Sequence, residues 1–526
     1  MNTDIFTEKA LELAVRGRLT NKSNGGVQCC SNAPQKEKTD EAEEYEPASA
    51  IVERIRDERQ RMLTEGTLRM KNIKVNTVIY KGEDGLYYEK AQGSVNCIQE
   101  EIPYDLPEDW EWCRLGSLFR TVTGNTPPTG DAELYGGEYP FYKPSDLDKG
   151  FAVDSAAETV TERGFERGHT APLNSVLVTC IGTVGKTGYI RKQGIFNQQM
   201  NAILPNRMIS PEYTYFSMCA DYMQKQIRAN SSSATMPILN KTKFDNLLFI
   251  LPPLNTQKKI AEKLKRIVFV SEKIRGEREE LELLISRTKE KVLDMAVRGK
   301  LVPQEDGDEP AEALLKRIGK ERGSDKRDME VGCDNSYYEK LKEKAFEIPR
   351  SWKFTSLRRI GRIVGGGTPK TSVSEYWNGD IPWVTPSDLG GKEKTAVNVI
   401  AKGERSISRK GLDSSTARIV PEGAVLYSCR APIGYAAIAE NPLATSQGIK
   451  AFIPYSEISS EYIYFCLKAF TENIVKNASG ASFKEISAAE LGATVLPLPP
   501  KKEQERISSK IKEIFTALDK ILKCLE

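Results

Sequence analysis

The stretch VLVTCIGTVGKTG at 176–188 contains the residue types that bind a nucleotide phosphate. A phosphate loop of the Walker type has the pattern G-x-x-x-x-G-K-[ST], in which backbone N–H groups surround the phosphates and the lysine reaches the outer ones. Here the position five before Gly185 is Cys180, and the earlier glycine, Gly182, lies only three residues before it. The loop is too short for that chemistry, and the pattern favours a strand, a turn and a second strand.

Other catalytic signatures are missing from the sequence. There is no F-x-G-x-G loop for S-adenosylmethionine and no Asn/Asp-Pro-Pro-Tyr motif for amino methylation. The single histidine, His169, lies in a polar stretch, whereas a general base needs an orienting partner and a pocket. The triplet Gly365-Gly366-Gly367 is followed by Thr-Pro, which favours a turn over a dinucleotide loop. We therefore expect a non-catalytic chain.

The composition predicts a multidomain protein of the cytoplasm. The 526 residues are 39% hydrophobic and 28% charged, which is enough for several cores. The 76 basic and 73 acidic residues leave a net charge of +3, which neither demands nor excludes a polyanionic partner. Ten scattered cysteines without a C-x-x-C motif indicate reduced thiols and no metal site. No signal peptide or apolar run of about 18 residues is present, so we expect no membrane association.

A long internal repeat is the main signal in the sequence. The aligned pairs are 133–147 with 375–389 at an offset of 242, 176–185 with 425–434 at an offset of 249, and 251–260 with 498–507 at an offset of 247. Two units of about 145 residues therefore share one fold. The second copy has Tyr435-Ala436 in place of Lys186-Thr187, so the shared fold does not require a phosphate-binding lysine.

Long helices separate and follow the two units. Apolar residues recur at spacings of three, four and seven from Thr256 to Val297 and again after Gln504, a pattern typical of a coiled coil. A single amphipathic helix on a globular core is the alternative for the first segment, although about 42 residues, or roughly 60 Å, would outgrow a small domain. The seam residues of these predicted partner-binding helices are Ile260, Leu264, Ile267, Ile507, Ile511, Ile514 and Leu518.

The repeat is circularly permuted. The motif Ala-Val-Arg-Gly at 296–299, where the long central helix ends, recurs at 14–17, an offset of 282. The second copy of the long helix is therefore divided, with its first part at the C-terminus of the chain and its last part at the N-terminus. The segment 46–60 matches 309–323, and both copies then reach Tyr-Tyr-Glu-Lys, at 87–90 and 337–340. The acidic stretch within 20–45 is predicted to be an exposed insertion.

These features predict an α+β fold: two similar mixed α/β domains joined by long antiparallel coiled-coil helices, pseudo-twofold and circularly permuted. Duplex DNA suits such a protein, because its backbone has a matching dyad and two half-sites can be read about 10 bp, or a multiple, apart. The predicted boundaries are 1–104 for the N-terminal helix segment, 105–251 and 347–498 for the two globular domains, 252–346 for the central helix and connector, and 499–526 for the C-terminal helix.

In the order and duplication of its motifs, nearly the whole chain resembles the DNA-specificity subunit family of type I restriction-modification systems. Each unit opens near a Pro-x-x-Trp and continues through a G-x-T-P and a P-S-D-L block. Each then closes in L-P-P-x-x-x-Q, followed by a heptad helix. The opening and closing motifs are Pro107–Trp110, Pro349–Trp352, Leu251–Gln257 and Leu498–Gln504.

The resemblance implies a non-catalytic subunit that reads a bipartite double-stranded DNA target, one half per target-recognition domain. It implies that two methyltransferase (modification) subunits dock on the helices and that restriction/translocase subunits join the assembly. No cofactor is then expected in this chain, and S-adenosylmethionine, ATP and Mg are expected on the partner subunits.

Base reading needs hydrogen-bond donors and acceptors that reach the major groove, whereas phosphate contacts fix the register. The polar residues at predicted turns and strand ends are candidates, each with the alternative of a surface turn or capping residue. They are Thr126, Lys143, Ser145, Lys186, Asn197, Gln198 and Gln199 in the first unit and Thr368, Lys370, Thr385, Ser387, Arg430, Ser446, Gln447 and Lys484 in the second. Asp146 and Asp388 are expected to cap helices, because phosphates repel a carboxylate.

The charge of the two units differs. Lys and Arg number 14 against 15 Asp and Glu in 107–250, but 18 against 13 in 350–497. A protein that binds DNA on its own normally has a strong basic surface. We therefore expect partner subunits to supply much of the phosphate contact. Two other function classes stay open: a coiled-coil scaffold that reads no sequence, and a nucleotide-binding enzyme that uses Lys186.

Overall fold

A computed structural model describes most of the chain, which divides into two compact units, Met1–Gly276 and Glu277–Glu526. The described residues are 3–19, 46–66, 77–91, 93–232, 236–323, 346–390, 396–430, 432–476 and 485–525. The predicted insertion at 20–45, the second Tyr-Tyr-Glu-Lys at 337–340 and the candidate Lys484 lie outside these ranges.

The first unit combines helices from the N-terminus with a globular domain. Its helices are Thr3–Val15, Ala48–Thr64, Leu115–Leu118, Glu162–Arg167, Pro211–Cys219, Asp221–Asn230, Lys241–Asp245 and the beginning of Leu254–Val297. Short 3-10 helices are Gln99–Glu101, Ala132–Leu134 and Asp146–Ala152.

Two four-stranded sheets form the body of the first domain. The antiparallel sheet has the order Thr187–Tyr189, Val176–Thr179, Met200–Ile203, Thr121–Thr123. The mixed sheet has the order Glu158–Val160, Tyr135–Tyr142, Gly194–Phe196, Thr170–Ala171. Leu248–Leu251 pairs with Glu111–Arg114, and Val78–Lys81, Tyr87–Ala91 and Ser94–Cys97 form a separate three-stranded sheet.

The second unit repeats this plan. Its helices are the end of Leu254–Val297 and then Ala311–Gly323, Leu357–Ile360, Pro386–Leu389, Arg409–Asp413, Ser460–Lys476, Ala488–Ala493 and Lys501–Leu525, with a 3-10 turn at Ser374–Tyr376. One sheet has the order Gly361–Gly365, Ile449–Pro454, Val425–Ser428, Ala436–Ala439, Val399–Ile400. The mixed sheet has the order Arg405–Ile407, Trp377–Val384, Leu443–Thr445, Ile419–Val420, and Lys353–Ser356 pairs with Val495–Leu498.

The boundaries of these elements follow the sequence repeat. Helices begin at Ala48 and Ala311, at the offset of 263 found in the sequence, and at Leu254 and Lys501, at the offset of 247. Each unit joins one helix from an end of the chain to one part of Leu254–Val297, as circular permutation requires. The predicted fold class, two similar α/β domains with long helices, is confirmed.

The heptad seam lies in the core of each unit. Ile260 and Leu264 are buried in the first hydrophobic core, and Ile507 and Ile511 in the second. The remaining seam residues, Ile267, Ile514 and Leu518, are half-buried. Of these three, Ile267 and Ile514 pack against the core of their own unit.

The paired helices run antiparallel within each unit. In the first unit Thr7 Oγ1 donates to Ser271 Oγ at 3.2 Å and Lys263 Nζ donates to Leu19 O at 2.9 Å, so the residue numbers rise on one helix and fall on the other. In the second unit Lys289 Nζ lies 2.6 Å from Asp519 Oδ1, and Arg506 Nη1 lies 3.1 Å from Glu305 Oε2 just beyond the end of the long helix, so the residue numbers again run in opposite directions.

A buried glutamine ties each closing motif to its domain. Gln257 Oε1 accepts from Ser210 N at 2.9 Å, and its Nε2 donates to Pro252 O at 2.7 Å. Gln504 makes the equivalent bonds, from Ser459 N at 3.0 Å and to the carbonyl of Pro499 at 3.1 Å. Both glutamines are fully buried. The L-P-P-x-x-x-Q motif therefore fixes the start of each long helix against its domain.

A glycine just after a helix explains why Ala-Val-Arg-Gly recurs at 14–17 and 296–299. Gly17 has φ +69° and Gly299 has φ +66°, a conformation that favours glycine. A Cβ atom on Gly17 would lie 2.9 Å from Pro107 Cγ, and one on Gly299 would lie 2.4 Å from Pro349 Cγ. In each unit the glycine of the Arg-Gly repeat therefore packs closely against the proline of the Pro-x-x-Trp repeat.

Replacing the buried glutamine tests this joint. We expect Gln257→Ala to lower the free energy of unfolding of the first unit by about 2–4 kcal/mol, because Ser210 N and Pro252 O each lose their partner in the interior. Lys259→Ala, an exposed change two residues away on the same helix, is the control and should shift it by less than about 0.5 kcal/mol. Urea unfolding followed by circular dichroism measures both, and equal effects would contradict the assigned role.

Candidate nucleic-acid interface

Backbone hydrogen bonds bring the polar turns of the first domain together. The three bonds are Asn125 N to Phe196 O at 3.0 Å, Asn197 N to Tyr142 O at 3.2 Å, and Cys180 N to Gln199 O at 2.7 Å. We name the resulting surface the first polar edge. It consists of the seven candidates Thr126, Lys143, Ser145, Lys186, Asn197, Gln198 and Gln199.

The amide side chains of the first polar edge order one another. Thr126 Oγ1 donates to Gln198 Oε1 at 2.6 Å, and Asn197 Nδ2 donates to Gln199 Oε1 at 2.9 Å. Asn197 is buried and Gln199 half-buried, whereas Gln198 is exposed. Asn197 therefore shapes the turn, and Gln198 presents its amide group to an incoming ligand.

The two lysines of the first polar edge are held by carboxylates. Lys143 forms an ion pair with Glu158, and Lys186 Nζ lies 2.5 Å from Asp148 Oδ1. Each lysine is therefore neutralised locally, and an anionic ligand would have to displace the carboxylate to bind it. This pairing agrees with the absence of a net basic charge in the first domain.

The turn that contains Gly185 and Lys186 does not form a phosphate loop. Val176–Thr179 and Thr187–Tyr189 are adjacent antiparallel strands, so Lys186 immediately precedes a strand, whereas a Walker loop opens a helix. The predicted strand, turn and strand are confirmed. Gln224 Nε2 donates to Gly185 O at 2.9 Å and occupies the inner side of the turn.

The second domain contains the same backbone bonds at equivalent positions. They are Gly367 N to Thr445 O, Ser446 N to Val384 O, and Cys429 N to Gly448 O, all at 2.8 Å. We name this surface the second polar edge. It consists of Thr368, Lys370, Thr385, Ser387, Arg430, Ser446 and Gln447.

The side chains of the second polar edge differ from those of the first. Thr368, Lys370, Ser387, Arg430 and Gln447 are exposed. Arg430 Nη2 donates to Glu485 Oε2 at 2.9 Å, and Thr385 Oγ1 donates to Asp388 Oδ2 at 2.6 Å. Ser446 is buried, and its hydroxyl has no hydrogen-bond partner within the described residues. Ser446 therefore lies behind the surface that its neighbour Gln447 presents.

The two aspartates of the P-S-D-L blocks fix the turns. Asp146 Oδ2 accepts from Lys143 N at 2.7 Å, and its Oδ1 accepts from Ala157 N at 2.9 Å. Asp388 accepts from Thr385 N at 2.7 Å and from Glu404 N at 3.0 Å. The expected helix cap is confirmed for Asp388, which forms a capping box with Thr385 at the start of Pro386–Leu389. It is wrong for Asp146, because this carboxylate bonds to backbone N–H groups on either side of its 3-10 helix.

A basic cleft beside the first polar edge was not predicted from the sequence. It has a volume of about 910 Å³, and four basic residues of its lining outnumber two acidic ones. These residues are Arg59, Arg120, Arg207, Lys241, Glu58 and Asp245, and His169 also lines the cleft. Burial lowers the pKa of Arg59 to about 10. His169 Nδ1 lies 2.6 Å from Thr123 O, which places the cleft next to the loop that contains Thr126. These residues are far apart in sequence, so only the fold reveals the cluster.

The two cysteines beside the polar edges, Cys180 and Cys429, are buried and unsuited to nucleophilic chemistry. Burial raises the pKa of Cys180 and of Cys429 to about 12, so both thiols are protonated at neutral pH. Among the described residues, no group of three or more His, Cys, Asp or Glu could hold a metal ion. Within the same part of the chain, every helix is too short or too polar to span a bilayer.

Comparison with known proteins identifies a family whose model matches two ranges of this chain. The family described as "Type I restriction modification DNA specificity domain" matches residues 107–283 and 349–524. These two ranges cover both domains and the start of the helix that follows each of them.

Individual relatives agree with this match. The specificity subunit of the type I restriction enzyme MjaIX from Methanocaldococcus jannaschii is 42% identical over 165 residues, which cover 31% of this chain and 38% of the relative. That of EcoAI from Escherichia coli is 22% identical over 589 aligned positions, which cover 98% of this chain and 89% of the relative. A chain from a solved structure on assembly of the type I R-M system superimposes with a TM-score of 0.56 at 20% identity, covering 80% of this chain and 94% of that chain.

Substitution of Asp388 and of its neighbour Ser387 distinguishes a residue that fixes the turn from a residue that only presents a surface group. We expect Asp388→Ala to lower the free energy of unfolding of the second unit by about 1–3 kcal/mol, because two backbone N–H groups lose their acceptor. Ser387→Ala removes an exposed hydroxyl and should change that free energy by less than about 0.5 kcal/mol. Thermal unfolding of the two variants distinguishes them. A more stable Asp388→Ala protein would show that the carboxylate does not fix the turn.

Proposed function

We propose that this chain, which belongs to the type I restriction modification DNA specificity family, is the subunit that reads a bipartite DNA target, one half per domain. The observation that carries the proposal is the pair of polar edges, which share their backbone bonds but differ in side chains. Lys143 corresponds to Thr385 and Lys186 to Tyr435. A shared scaffold with different surface donors is what two different half-sites require. A scaffold that reads no sequence would not need this difference.

The chemistry of the exposed residues supports base reading. Gln198 and Gln447 occupy equivalent positions and are both exposed. A glutamine amide donates to adenine N7 and accepts from adenine N6, and a lysine donates to guanine O6 and N7. The two glutamines therefore supply one common contact, and the neighbouring residues that differ supply the distinction between the half-sites.

Phosphate contacts come from two sources in this proposal. The basic cleft of the first unit offers Arg120, which is exposed, and Lys241, which is bound to Asp245 with Nζ 2.6 Å from Oδ2. Most of the remaining contacts come from partner subunits, because basic residues do not exceed acidic residues in 107–250. On this account the chain alone binds DNA weakly.

The long helices are the proposed docking surface for two adenine-methyltransferase subunits. Although most of the predicted seam residues pack inside their own unit, other apolar residues of Leu254–Val297 face solvent. Phe269 and its neighbour Val270 are 67% and 51% exposed, and Leu284 and its neighbour Leu283 are 58% and 51% exposed. Adjacent exposed apolar side chains on a charged helix are typical of a protein interface. Restriction/translocase subunits complete the assembly, and these partners hold S-adenosylmethionine, ATP and Mg, so this chain acts in the cytoplasm without catalysing a step.

Mapping of methylated adenines in a host tests the function. We expect the chain with its methyltransferase to produce one discontinuous methylated motif, which disappears when the chain is omitted. Gln198→Ala should relax one base position in one half of the motif, because the exposed amide is lost. Gln193→Ala, an exposed glutamine before the opposite end of the same strand, should leave the motif unchanged. Methylation without a discontinuous motif would contradict bipartite reading.

Salt dependence tests the origin of the phosphate contacts. The slope of log K against log salt reports the number of phosphates neutralised. We expect a shallow slope for the chain alone and a slope steeper by several phosphates for the chain with its methyltransferase. Fluorescence anisotropy with a labelled duplex at several salt concentrations measures both. Equal slopes would show that this chain supplies the phosphate contacts itself.

A further inference from the structure

One position carries opposite charges in the two domains. Glu158 begins the edge strand of the first mixed sheet, and Arg405 begins the edge strand of the second. Glu158 pairs with Phe141, and Arg405 pairs with Trp383. Because Phe141 and Trp383 are aligned in the repeat at the offset of 242, Glu158 and Arg405 are structurally equivalent.

Tryptophans hold Arg405 next to a loop of the second polar edge. Its guanidinium carbon lies 3.5 Å from the centroid of the Trp377 ring. The Trp377 indole donates to Lys370 O at 3.3 Å, and the Trp383 indole donates to Gly367 O at 3.0 Å. Arg405 is exposed and makes no ion pair within the described residues. The stacking therefore orders a guanidinium whose N–H donors stay available.

Arg405 also adjoins the other turn of the second polar edge. Its neighbour Glu404 donates its backbone N–H to Asp388, the carboxylate that fixes the turn of Thr385 and Ser387. Arg405 thus lies between two groups of candidate reading residues, although it belongs to neither in sequence.

Glu158 lies beside the equivalent turn of the first domain, as Arg405 does in the second. Its neighbour Ala157 donates its backbone N–H to Asp146, which fixes the turn that contains Lys143. Glu158 itself forms an ion pair with Lys143. The lysine reduces the repulsion that an unpaired carboxylate would meet near DNA.

A phosphate contact does not fit this position, because phosphates attract an arginine and repel a glutamate. The edges of the bases, by contrast, can form hydrogen bonds with either an arginine or a glutamate. Guanine presents the acceptors O6 and N7 to an arginine, and cytosine presents the N4 amino donor to a glutamate.

The geometry points to Arg405 and Glu158 as base-reading residues: Arg405 recognises a guanine in one half-site, and Glu158 recognises a cytosine in the other. This inference rests on the proposed function and names two residues that determine specificity. Lys143, the partner of Glu158, is then placed at the guanine of the same base pair.

Adenine-methylation mapping with full-length variants and the cognate methyltransferase tests the inference. Arg405→Ala is expected to reduce discrimination at one G·C position by about 10- to 100-fold, because a bidentate contact is lost. The other half-site is expected to stay unchanged. Arg405→Lys, which keeps the charge but loses the planar fork, is expected to give an intermediate preference. Arg409→Ala is the matched control, because Arg409 is exposed on the following helix and pairs with Asp413.

Glu158→Gln provides the mirror test and is expected to relax one C·G position in the opposite half-site. A wild-type motif that stays unchanged in both the Arg405→Ala and Glu158→Gln proteins overturns the inference but leaves bipartite reading intact. A change at an A·T position, or a uniform loss across both halves, also overturns it. The absence of any discontinuous motif in the wild-type protein overturns the proposed function itself.

Discussion

The placement of both polar edges depends on one buried glutamine in each unit. Gln257 and Gln504 begin the long helices, yet their amide groups bond to backbone atoms that belong to the adjoining domain. A buried amide with both partners satisfied is stable only in one geometry, since the loss of either bond leaves a polar group unpaired in the interior. The direction of each helix is therefore fixed relative to its own domain. A protein that reads a DNA sequence needs this rigidity within each unit.

Within each domain, backbone bonds and side chains have separate tasks. The bonds that gather the turns, such as Asn197 N to Tyr142 O and Ser446 N to Val384 O, recur at equivalent positions. They do not depend on the side chains, so surface residues are free to differ while the turns stay in place. Asp146 and Asp388 fix the turns, and the buried residues Asn197 and Ser446 lie behind the surface. The specificity of each domain then resides in a few exposed groups on a common frame.

The repeat made much of the fold predictable. Spacing alone predicted the strand, turn and strand at 176–188 and the long helices, because these follow from local periodicity and backbone demand. Pairing across the chain was not predictable. The ion pair of Lys186 with Asp148 and the stacking of Arg405 on Trp377 join segments that the sequence separates. Periodicity located the seam residue Ile260 but did not reveal that its own unit buries it.

If each domain reads its own half of the target, the exchange of one domain changes only one half. The most direct measurement is methylated-adenine mapping after residues 107–250 are exchanged for the corresponding domain of another family member. Gln257 lies outside this segment and its partner within it is a backbone N–H, that of Ser210, so a related domain can form the same joint to the helices. We expect a motif in which one half changes while the other half and the spacing stay the same. A motif that is indifferent to the exchange, or that changes in both halves, would contradict it.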